Sequence, residues 1–209
     1  MTRRNIILIT IDSLRADHCS FMGYYRKTTP TLDKMAKRGL YFKNAIAASV
    51  PTPTSIYSIF CADYPIIFGK FLHKELKKLF LERKTIAEVL LRKKYTTIAF
   101  NRNPYIPPEI GYGKGFSILR GYSESKIHKL LYRIFKINRD IADLILANGI
   151  CSNSEKMYED VIDVLEKVTR PYFLWIILLD THVPYLPSKR KYSKIIDNYY
   201  IGFLRSIEI

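Results

Sequence analysis

The sequence predicts an α/β fold with a mostly parallel sheet flanked by helices, and two observations predict it. Short apolar runs rich in β-branched residues, such as "NIILIT" and "YFLWIILL", have the composition of strands that are buried on both faces. Segments with apolar residues at helical spacing alternate with these runs along the chain, as they do in βαβ units. The length of 209 residues fits one domain with one hydrophobic core.

The first strand is predicted in "NIILIT", and Asp12 lies at its carboxyl end. Ligands of open α/β sheets bind at the carboxyl ends of the strands, so an acid at this place favours a functional role. A helix is predicted in "TPTLDKMAKRG", with Pro30 in its first turn and Gly39 at its end. The next apolar segment, "YFKNAIA", is predicted to be a short strand.

Helices and strands continue to alternate in the rest of the chain. The segment "SVPTPTSIYSIFCADYP" predicts a helix opened by two prolines, and "TIAEVLLRKKY" predicts another that begins with a capping box of Thr85 and Glu88. The strand "TTIAF" follows, and the Asn-, Pro- and Gly-rich "NRNPYIPPEIGYGKGF" is predicted to be a loop. A helix from Ser154 to Thr169 then precedes the strand "YFLWIILLD", which ends at Asp180.

The net charge of +15 is concentrated in the middle of the chain. Between Lys70 and Arg139 there are 17 Lys and Arg against 5 Glu and no Asp. Such a field favours anionic partners, namely phosphate esters, nucleic acid or an acidic membrane surface, although a solvated surface explains it equally well. Within residues 123–150, "IHKLLYRIFKI" predicts a basic amphipathic helix that lies on a membrane surface or, as is more common, covers the domain's own core.

Several classes of protein do not fit the sequence. The chain has no run of about 20 apolar residues that would span a membrane. Its N-terminal apolar run is about six residues long, shorter than a signal peptide needs, so a cytoplasmic location is expected. The cysteines, Cys19, Cys61 and Cys151, are odd in number and form no Cys-x-x-Cys pair, which indicates neither a disulfide framework nor a zinc knuckle.

Three segments, in order, resemble one family. They are "NIILITIDSLRADHCSFMGYYRKTTPTLDKMAKRGLYFKNAIA", then "KTIAEVLLRKKYTTIAFNRNPYI" followed by "GKGF", and finally "YFLWIILLDTHVPYLP". They are similar to the signature segments of the sulfatases and their relatives in the alkaline phosphatase superfamily, including a strand that ends in Asp, a Leu-Arg-x-Asp and an Asp-x-His-x-Pro-Tyr. The resemblance covers nearly the whole chain and implies an alkaline-phosphatase/sulfatase-like fold.

The resemblance also implies a metal-dependent hydrolase or transferase that acts on phosphate or sulfate esters through a metal-bound hydroxyl. Asp12 matches the family's first metal carboxylate, a hard oxygen ligand suited to Ca²⁺, Mg²⁺, Mn²⁺ or Zn²⁺. Ser13 stands where many sulfatases have a second Asp. This difference favours the phosphodiesterase and phosphoethanolamine-transferase branches.

Alignment on the Tyr-Pro pair at residues 64–65 places the family's nucleophile, which is also a metal ligand, on Thr52. Thr54 and Ser49 are alternatives, because Pro53 comes one residue earlier than the family's proline. Threonine cannot be oxidised to formylglycine, so no formylglycine is expected and phosphate esters are favoured over sulfate esters. From the residues alone, Thr52 would be interpreted as the N-cap of the helix.

The resemblance names three substrate-binding candidates. His182, within "DTHVPY", matches the family's substrate or metal histidine, and Asp180 is expected to orient it or to cap the loop. Arg102 and Asn103 fall where the family places a Lys or Asn that binds the anionic group. An ordinary loop histidine is the alternative for His182, since most lone histidines are structural.

One part of the family pattern has no counterpart. Family members continue with a strand that ends in Asp-His-Gly and completes the metal site, followed by a C-terminal subdomain. Residues 1–209 are therefore predicted to form a single, incomplete, truncated N-terminal domain with weak or no hydrolase activity alone. Three alternatives would produce this pattern: a truncated reading frame, a split protein whose missing half is a separate partner chain, or a degenerate paralogue. The alternatives to an enzyme are a basic binding module for nucleic acid or acidic lipid, or a non-functional gene fragment.

Overall fold

The structure, a computed structural model, describes residues 3–65, 72–121 and 154–182. Its centre is a sheet made of β1 (Ile6–Ile11), β2 (Thr96–Phe100), β3 (Ile118–Arg120) and β4 (Tyr172–Leu178). These strands lie in the order β1-β4-β2-β3, and each neighbouring pair is parallel. The predicted α/β fold with a mostly parallel sheet is confirmed.

The parallel pairing brings the carboxyl ends of the strands to one edge of the sheet. β4 lies between β1 and β2, so that Trp175 is opposite both Leu8 and Ala99. The ladder between β1 and β4 continues one residue further, because the Asp12 N–H donates to the carbonyl oxygen of Leu178 at 2.9 Å. Asp12 is therefore held at the edge of the sheet where ligands of such folds bind.

Helices cover both faces of the sheet. They are α2 (Thr52–Cys61), α3 (Leu72–Glu82), α4 (Ile86–Arg92) and α5 (Ser154–Lys167), whereas α1 (Pro30–Ala36) has no buried side chain and contacts the turn of residues 20–22. Buried side chains of α2, α3 and α4 pack with Phe173, Trp175 and Ile177 on one face, whereas those of α5 pack with Leu174 and Ile176 on the other. Alternate residues of β4 thus enter two different cores, which explains why its sequence is continuously apolar.

Most of the predicted elements are present. α1, α2, α4, α5, β1, β2 and β4 lie where the sequence predicts them. The capping box of α4 is formed: Thr85 Oγ1 accepts from the Glu88 N–H at 3.1 Å, and Glu88 Oε2 accepts from the Thr85 N–H at 2.9 Å. Helix α3 and strand β3 were not predicted. For α3 a signal exists, since Leu72, Leu76 and Leu79 recur at helical spacing.

The prediction of a strand in "YFKNAIA" is wrong. Residues 41–47 form a turn and irregular backbone instead. Phe42 and Ile46 are 79% and 92% exposed, and none of the four described strands pairs with this segment. Strand propensity reflects how a side chain fits a pleated, half-buried surface, so an apolar segment without a neighbouring strand does not satisfy it.

Two earlier expectations concern membranes. Over residues 3–65, 72–121 and 154–182, no helix is both long and apolar enough to cross a bilayer. The basic amphipathic helix predicted within residues 123–150 lies outside the described residues, as does Cys151. Its orientation toward a membrane or toward the domain core therefore stays a prediction.

Candidate active site

Asp12 and Thr52 meet although they are 40 residues apart in sequence. Asp12 lies at the carboxyl end of β1, and Ser13 after it has a left-handed backbone (φ 60°) that turns the chain away from the sheet. Thr52 is the first residue of α2. Its Oγ1 donates a hydrogen bond shared by Oδ1 and Oδ2 of Asp12, at 3.2 Å from each.

Two further loops hold Asp12 in place. Asn103, which is buried (2% exposed), donates from Nδ2 to Asp12 Oδ2 at 3.1 Å. The Thr181 hydroxyl donates to the backbone oxygen of Asp12 at 2.6 Å. The Asp12 carboxylate therefore receives donors from the loop after β2 and from the first residue of α2, while its backbone is fixed by the segment after β4.

Of the three hydroxyls predicted as nucleophile candidates, Thr52 is the one that contacts the Asp12 carboxylate within the described residues. Thr54 is completely buried, and its hydroxyl donates to the backbone oxygen of Pro51 at 2.9 Å. The Ser49 hydroxyl faces its neighbour, the backbone oxygen of Val50. The N-cap interpretation of Thr52 is wrong, because Pro51 occupies that position and makes no side-chain cap.

A cavity of about 550 Å³ opens beside this pair. Asp12, Thr52 and Ser55 provide polar groups at its wall, and Leu14 and Ile59 are among its apolar lining residues. α2 begins at Thr52, so the positive end of its dipole lies at the same place. The helix N-terminus favours an anion here, whereas the Asp12 carboxylate in the same wall repels one unless a cation neutralises it.

The remaining predicted substrate residues lie near the same edge of the sheet. The Arg102 guanidinium forms an ion pair with Asp160 of α5 at 3.3 Å. His182 closes a turn in which its N–H donates to the backbone oxygen of Leu179 at 2.9 Å. Asn103 is thus the predicted substrate residue that contacts Asp12 among the described contacts. The substrate roles of Arg102, Asn103 and His182 all stay predictions.

The sequence did not predict the contribution of Thr181. It occupies the variable position between Asp180 and His182 in the Asp-x-His pattern, so the family pattern gives it no role. Its contact with Asp12 joins residues 169 positions apart. A polar residue within a few positions of the end of a buried parallel strand is a signal that could have drawn attention to it.

The oxygen atoms of Asp12 and Thr52 suit part of the ligand set of a divalent metal ion. The Asp12 carboxylate and Thr52 hydroxyl are hard oxygen donors, and oxygens bound to one cation at about 2.0 to 2.5 Å lie about 3 Å apart, close to the separation here. Among the described residues, no group of three or more His, Cys, Asp and Glu could hold a metal ion. Since a catalytic metal usually has about three protein ligands, Asp12 and Thr52 supply a part of the set.

Cys61, the cysteine at the other end of α2, is a packing residue. Cys61 ends α2 and packs against the apolar cluster on that face of the sheet. Burial raises the pKa of the Cys61 thiol to about 11, so the thiol is protonated at neutral pH. It is therefore a poor nucleophile.

Solved structures define the class of this fold. A protein of the alkaline phosphatase superfamily from Vibrio parahaemolyticus matches with a TM-score of 0.60 and 18% identity over 91% of this chain and 44% of its own. The C-terminal periplasmic domain of EptC from Escherichia coli, in complex with zinc, matches at 0.58 and 16% over 93% and 50%. Phosphonate monoester hydrolase of Agrobacterium radiobacter matches at 0.56 and 20% over 86% and 41%.

These neighbours place the chain in the fold class of the alkaline phosphatase superfamily. The family model "Sulfatase" matches residues 4–201. The chain belongs to the sulfatase family. It spans half or less of the length of these three structures, and no curated protein matches its sequence significantly.

Proposed function

We propose that this chain carries the nucleophile of a metal-dependent phosphoester hydrolase or transferase, with Thr52 as the nucleophile and Asp12 as a metal ligand. The observation that carries the proposal is the contact of Thr52 Oγ1 with both Asp12 oxygens at 3.2 Å. This contact lies where the strand carboxyl ends and the N-terminus of α2 converge, which is the preferred place for a phosphate group in an α/β fold.

The side chains have separate tasks in the proposed reaction. A divalent cation bound by Asp12 and Thr52 would neutralise phosphate oxygens and lower the pKa of the Thr52 hydroxyl. The bond between Thr52 Oγ1 and phosphorus forms while the bond from phosphorus to the leaving oxygen breaks, and the electron pair leaves with that oxygen. The hydroxyl proton passes to solvent. Water or an acceptor alcohol then attacks phosphorus and frees Thr52.

Two features support phosphate esters over sulfate esters. Thr52 cannot become formylglycine, and Ile56 stands where the formylglycine motif of sulfatases has its Arg. The Thr52 side chain has an ordinary hydroxyl, which a cation can activate directly for phosphoryl transfer. Two of the similar structures also have phosphorus chemistry in their names: a phosphonate monoester hydrolase and a lipooligosaccharide phosphoethanolamine transferase from Neisseria meningitidis.

The test is a single-turnover labelling experiment on the 209-residue chain. The protein is incubated with bis(p-nitrophenyl) phosphate and, in separate samples, Zn²⁺, Mn²⁺, Mg²⁺ or Ca²⁺, followed by intact-mass measurement and peptide mapping. We expect a cation-dependent p-nitrophenyl phosphoryl group on Thr52 and release of at most one equivalent of p-nitrophenolate. Further turnover should be slow or absent, because Asp12 and Thr52 are fewer than the usual metal ligands.

Thr52→Ala should abolish the label. Ser58→Ala is the matched control, because Ser58 lies in the same helix but its hydroxyl donates to the backbone oxygen of Thr54. p-Nitrophenyl sulfate should give no label. The proposal is overturned if no cation supports labelling, or if the label persists in Thr52→Ala on Ser49, Thr54 or another residue.

A further inference from the structure

A pair of buried asparagines shapes the loop after β2. Asn101 and Asn103 are 3% and 2% exposed and lie two residues apart, directly beyond the carboxyl end of the strand. Burying a carboxamide is costly unless its donors and acceptor find partners. The partners of these two side chains therefore show what holds the loop in its conformation.

The Asn101 carboxamide bridges two points of its own loop. Its Oδ1 accepts from the Asn103 N–H at 2.8 Å, which forms an Asx turn. Its Nδ2 donates to the backbone oxygen of Ile106 at 2.8 Å. One side chain thus ties together three backbone positions, residues 101, 103 and 106, by hydrogen bonds that are shielded from water.

Both ends of this bridge are attached to the core. The Asn101 N–H donates to the Arg120 backbone oxygen at 3.0 Å, which extends the pairing of β2 with β3. Ile106 is completely buried in the apolar cluster that contains Trp175. At Gly121 (φ 92°), an added Cβ would lie 2.9 Å from the Asn101 backbone oxygen, so the loop packs closely against the end of β3. A loop anchored in this way has little freedom to shift.

The same bridge orients Asn103. The Asn103 Oδ1 accepts from the Tyr105 N–H at 2.8 Å, which leaves Nδ2 to donate to Asp12 Oδ2 at 3.1 Å. The direction of the Asn103 amide follows from this network, because the Tyr105 N–H requires an acceptor. The position of the Asn103 backbone in turn depends on the hydrogen bond that its N–H donates to Asn101.

We propose that Asn101 is a positioning residue of the site: its buried carboxamide fixes residues 101–106 so that Asn103 presents its Nδ2 to the Asp12 carboxylate. Asn101 itself touches neither Asp12 nor Thr52 among the described hydrogen bonds. It acts through Asn103, which links the β2 loop to the proposed metal ligand. The kinetic part of this inference rests on the proposed function, whereas its structural part does not.

The kinetic test measures the rate at which Thr52 is labelled by bis(p-nitrophenyl) phosphate in Asn101→Ala, Asn103→Ala and the double variant. Loss of a residue that supports a metal ligand typically costs about 10-fold or more, so we expect about a 10-fold slower reaction in each single variant. The double variant should match Asn103→Ala within about 2-fold, because coupled residues give non-additive effects. Multiplied single effects would overturn the proposal.

The structural test follows the Asn103 side-chain NH₂ in a ¹⁵N-correlated NMR spectrum, where its signals are assigned by their loss in Asn103→Ala. We expect slow exchange with solvent in the unmodified chain, and shifted, faster-exchanging signals in Asn101→Ala. Unchanged Asn103 signals in Asn101→Ala would overturn the proposal, even if the variant is less stable. This measurement decides the positioning role even if Thr52 labelling fails and the proposed function falls.

Two variants separate positioning from general destabilisation. Thr85→Ala removes another buried hydroxyl, one that contacts Lys114 and Glu88 instead of the site. It should lower the melting temperature but leave the Asn103 signals in place. Asn101→Ser keeps a short acceptor for the Asn103 N–H and provides a second variant if Asn101→Ala does not fold. In Asn101→Ser the Asn103 signals should lie closer to those of the unmodified chain than in Asn101→Ala.

Discussion

The sheet core and the segment of residues 13–51 are stabilised by different forces. In β4, Phe173, Leu174 and Trp175 are at most 1% exposed. Between Ser13 and Pro51 the one buried apolar side chain among the described residues is Cys19, while Leu40 and Ile46 are each 92% exposed. Burial of apolar area stabilises the first region, but the second has little of it.

Polar contacts hold the second region instead. The Ser20 hydroxyl donates to the Asp33 carboxylate at 2.8 Å, and the Thr29 hydroxyl donates to the same carboxylate at 3.0 Å. Asp12 precedes this region and Thr52 follows it, so both site residues are placed by elements of the sheet core. The geometry of the candidate site therefore depends on the two anchored ends of this segment more than on its interior.

The largest expected effect compares the same substitution in the two regions. Phe173→Ala removes a fully buried ring and should lower the free energy of unfolding by about 3 to 5 kcal/mol. Phe42→Ala, at a position 79% exposed, should change it by less than about 0.5 kcal/mol. Urea unfolding followed by Trp175 fluorescence measures both. A cost of several kcal/mol for Phe42→Ala would show that residues 13–51 have an apolar core after all and would break the comparison.

A smaller effect is expected for the polar cluster of Ser20, Thr29 and Asp33. Asp33→Ala removes the acceptor of two hydroxyl donors and should cost about 1 to 3 kcal/mol locally. Hydrogen exchange in residues 16–36 should become about 5- to 150-fold faster, since 1.4 kcal/mol corresponds to a factor of 10. The exchange of β2 and β4 should not change.

Lys34→Ala is the control for this prediction, because Lys34 neighbours Asp33 in α1 but is exposed. It should leave exchange in both regions as it is in the unmodified chain. Equal acceleration in β4 and in residues 16–36 after Asp33→Ala would mean that the two regions unfold as one unit, contrary to the comparison.

The sequence predicted those helices and strands whose own residues carry a clear pattern. β4 could be recognised because its residues from Tyr172 to Ile177 are each buried in one core or the other, which makes the run continuously apolar. α4 could be recognised because its capping box forms within four residues. β3 has three residues, too few to show a period, and was missed. The strand predicted at residues 41–47 failed for the converse reason: whether an apolar segment pairs depends on a partner that the segment does not contain.

The candidate site was predictable only in part. Asp12 and Thr52 could be named because the chain resembles a family, although only the fold brings the two side chains together. The supports of Asp12 could not be named in this way. Thr181 reaches it from the turn after β4, and Asn101 acts through a loop whose shape follows from buried hydrogen bonds. Such contacts depend on the packing of distant segments, and no sequence period records them.

The smallest expected effect concerns an exposed ion pair at the start of residues 13–51. Hydrogen bonds from Arg15, followed by that from His18, lower the pKa of Asp17 well below its ordinary value of 3.8. A lowered folded-state pKa gives stability that is present above pH 3.8 and is lost as the pH falls through the folded pKa. Because all three side chains are exposed, solvent screens the contact, and the stability of the core should hardly change with the protonation of Asp17.

NMR titration of the Asp17 carboxyl should give a midpoint below 3.8 that rises in Arg15→Ala. A midpoint at the ordinary value would show that Arg15 does not hold Asp17 in solution. The turn of residues 15–18 would then be held by the hydrogen bond from Thr28 to the His18 backbone oxygen and by the partly buried cluster around Asp33, without a contribution from the exposed ion pair.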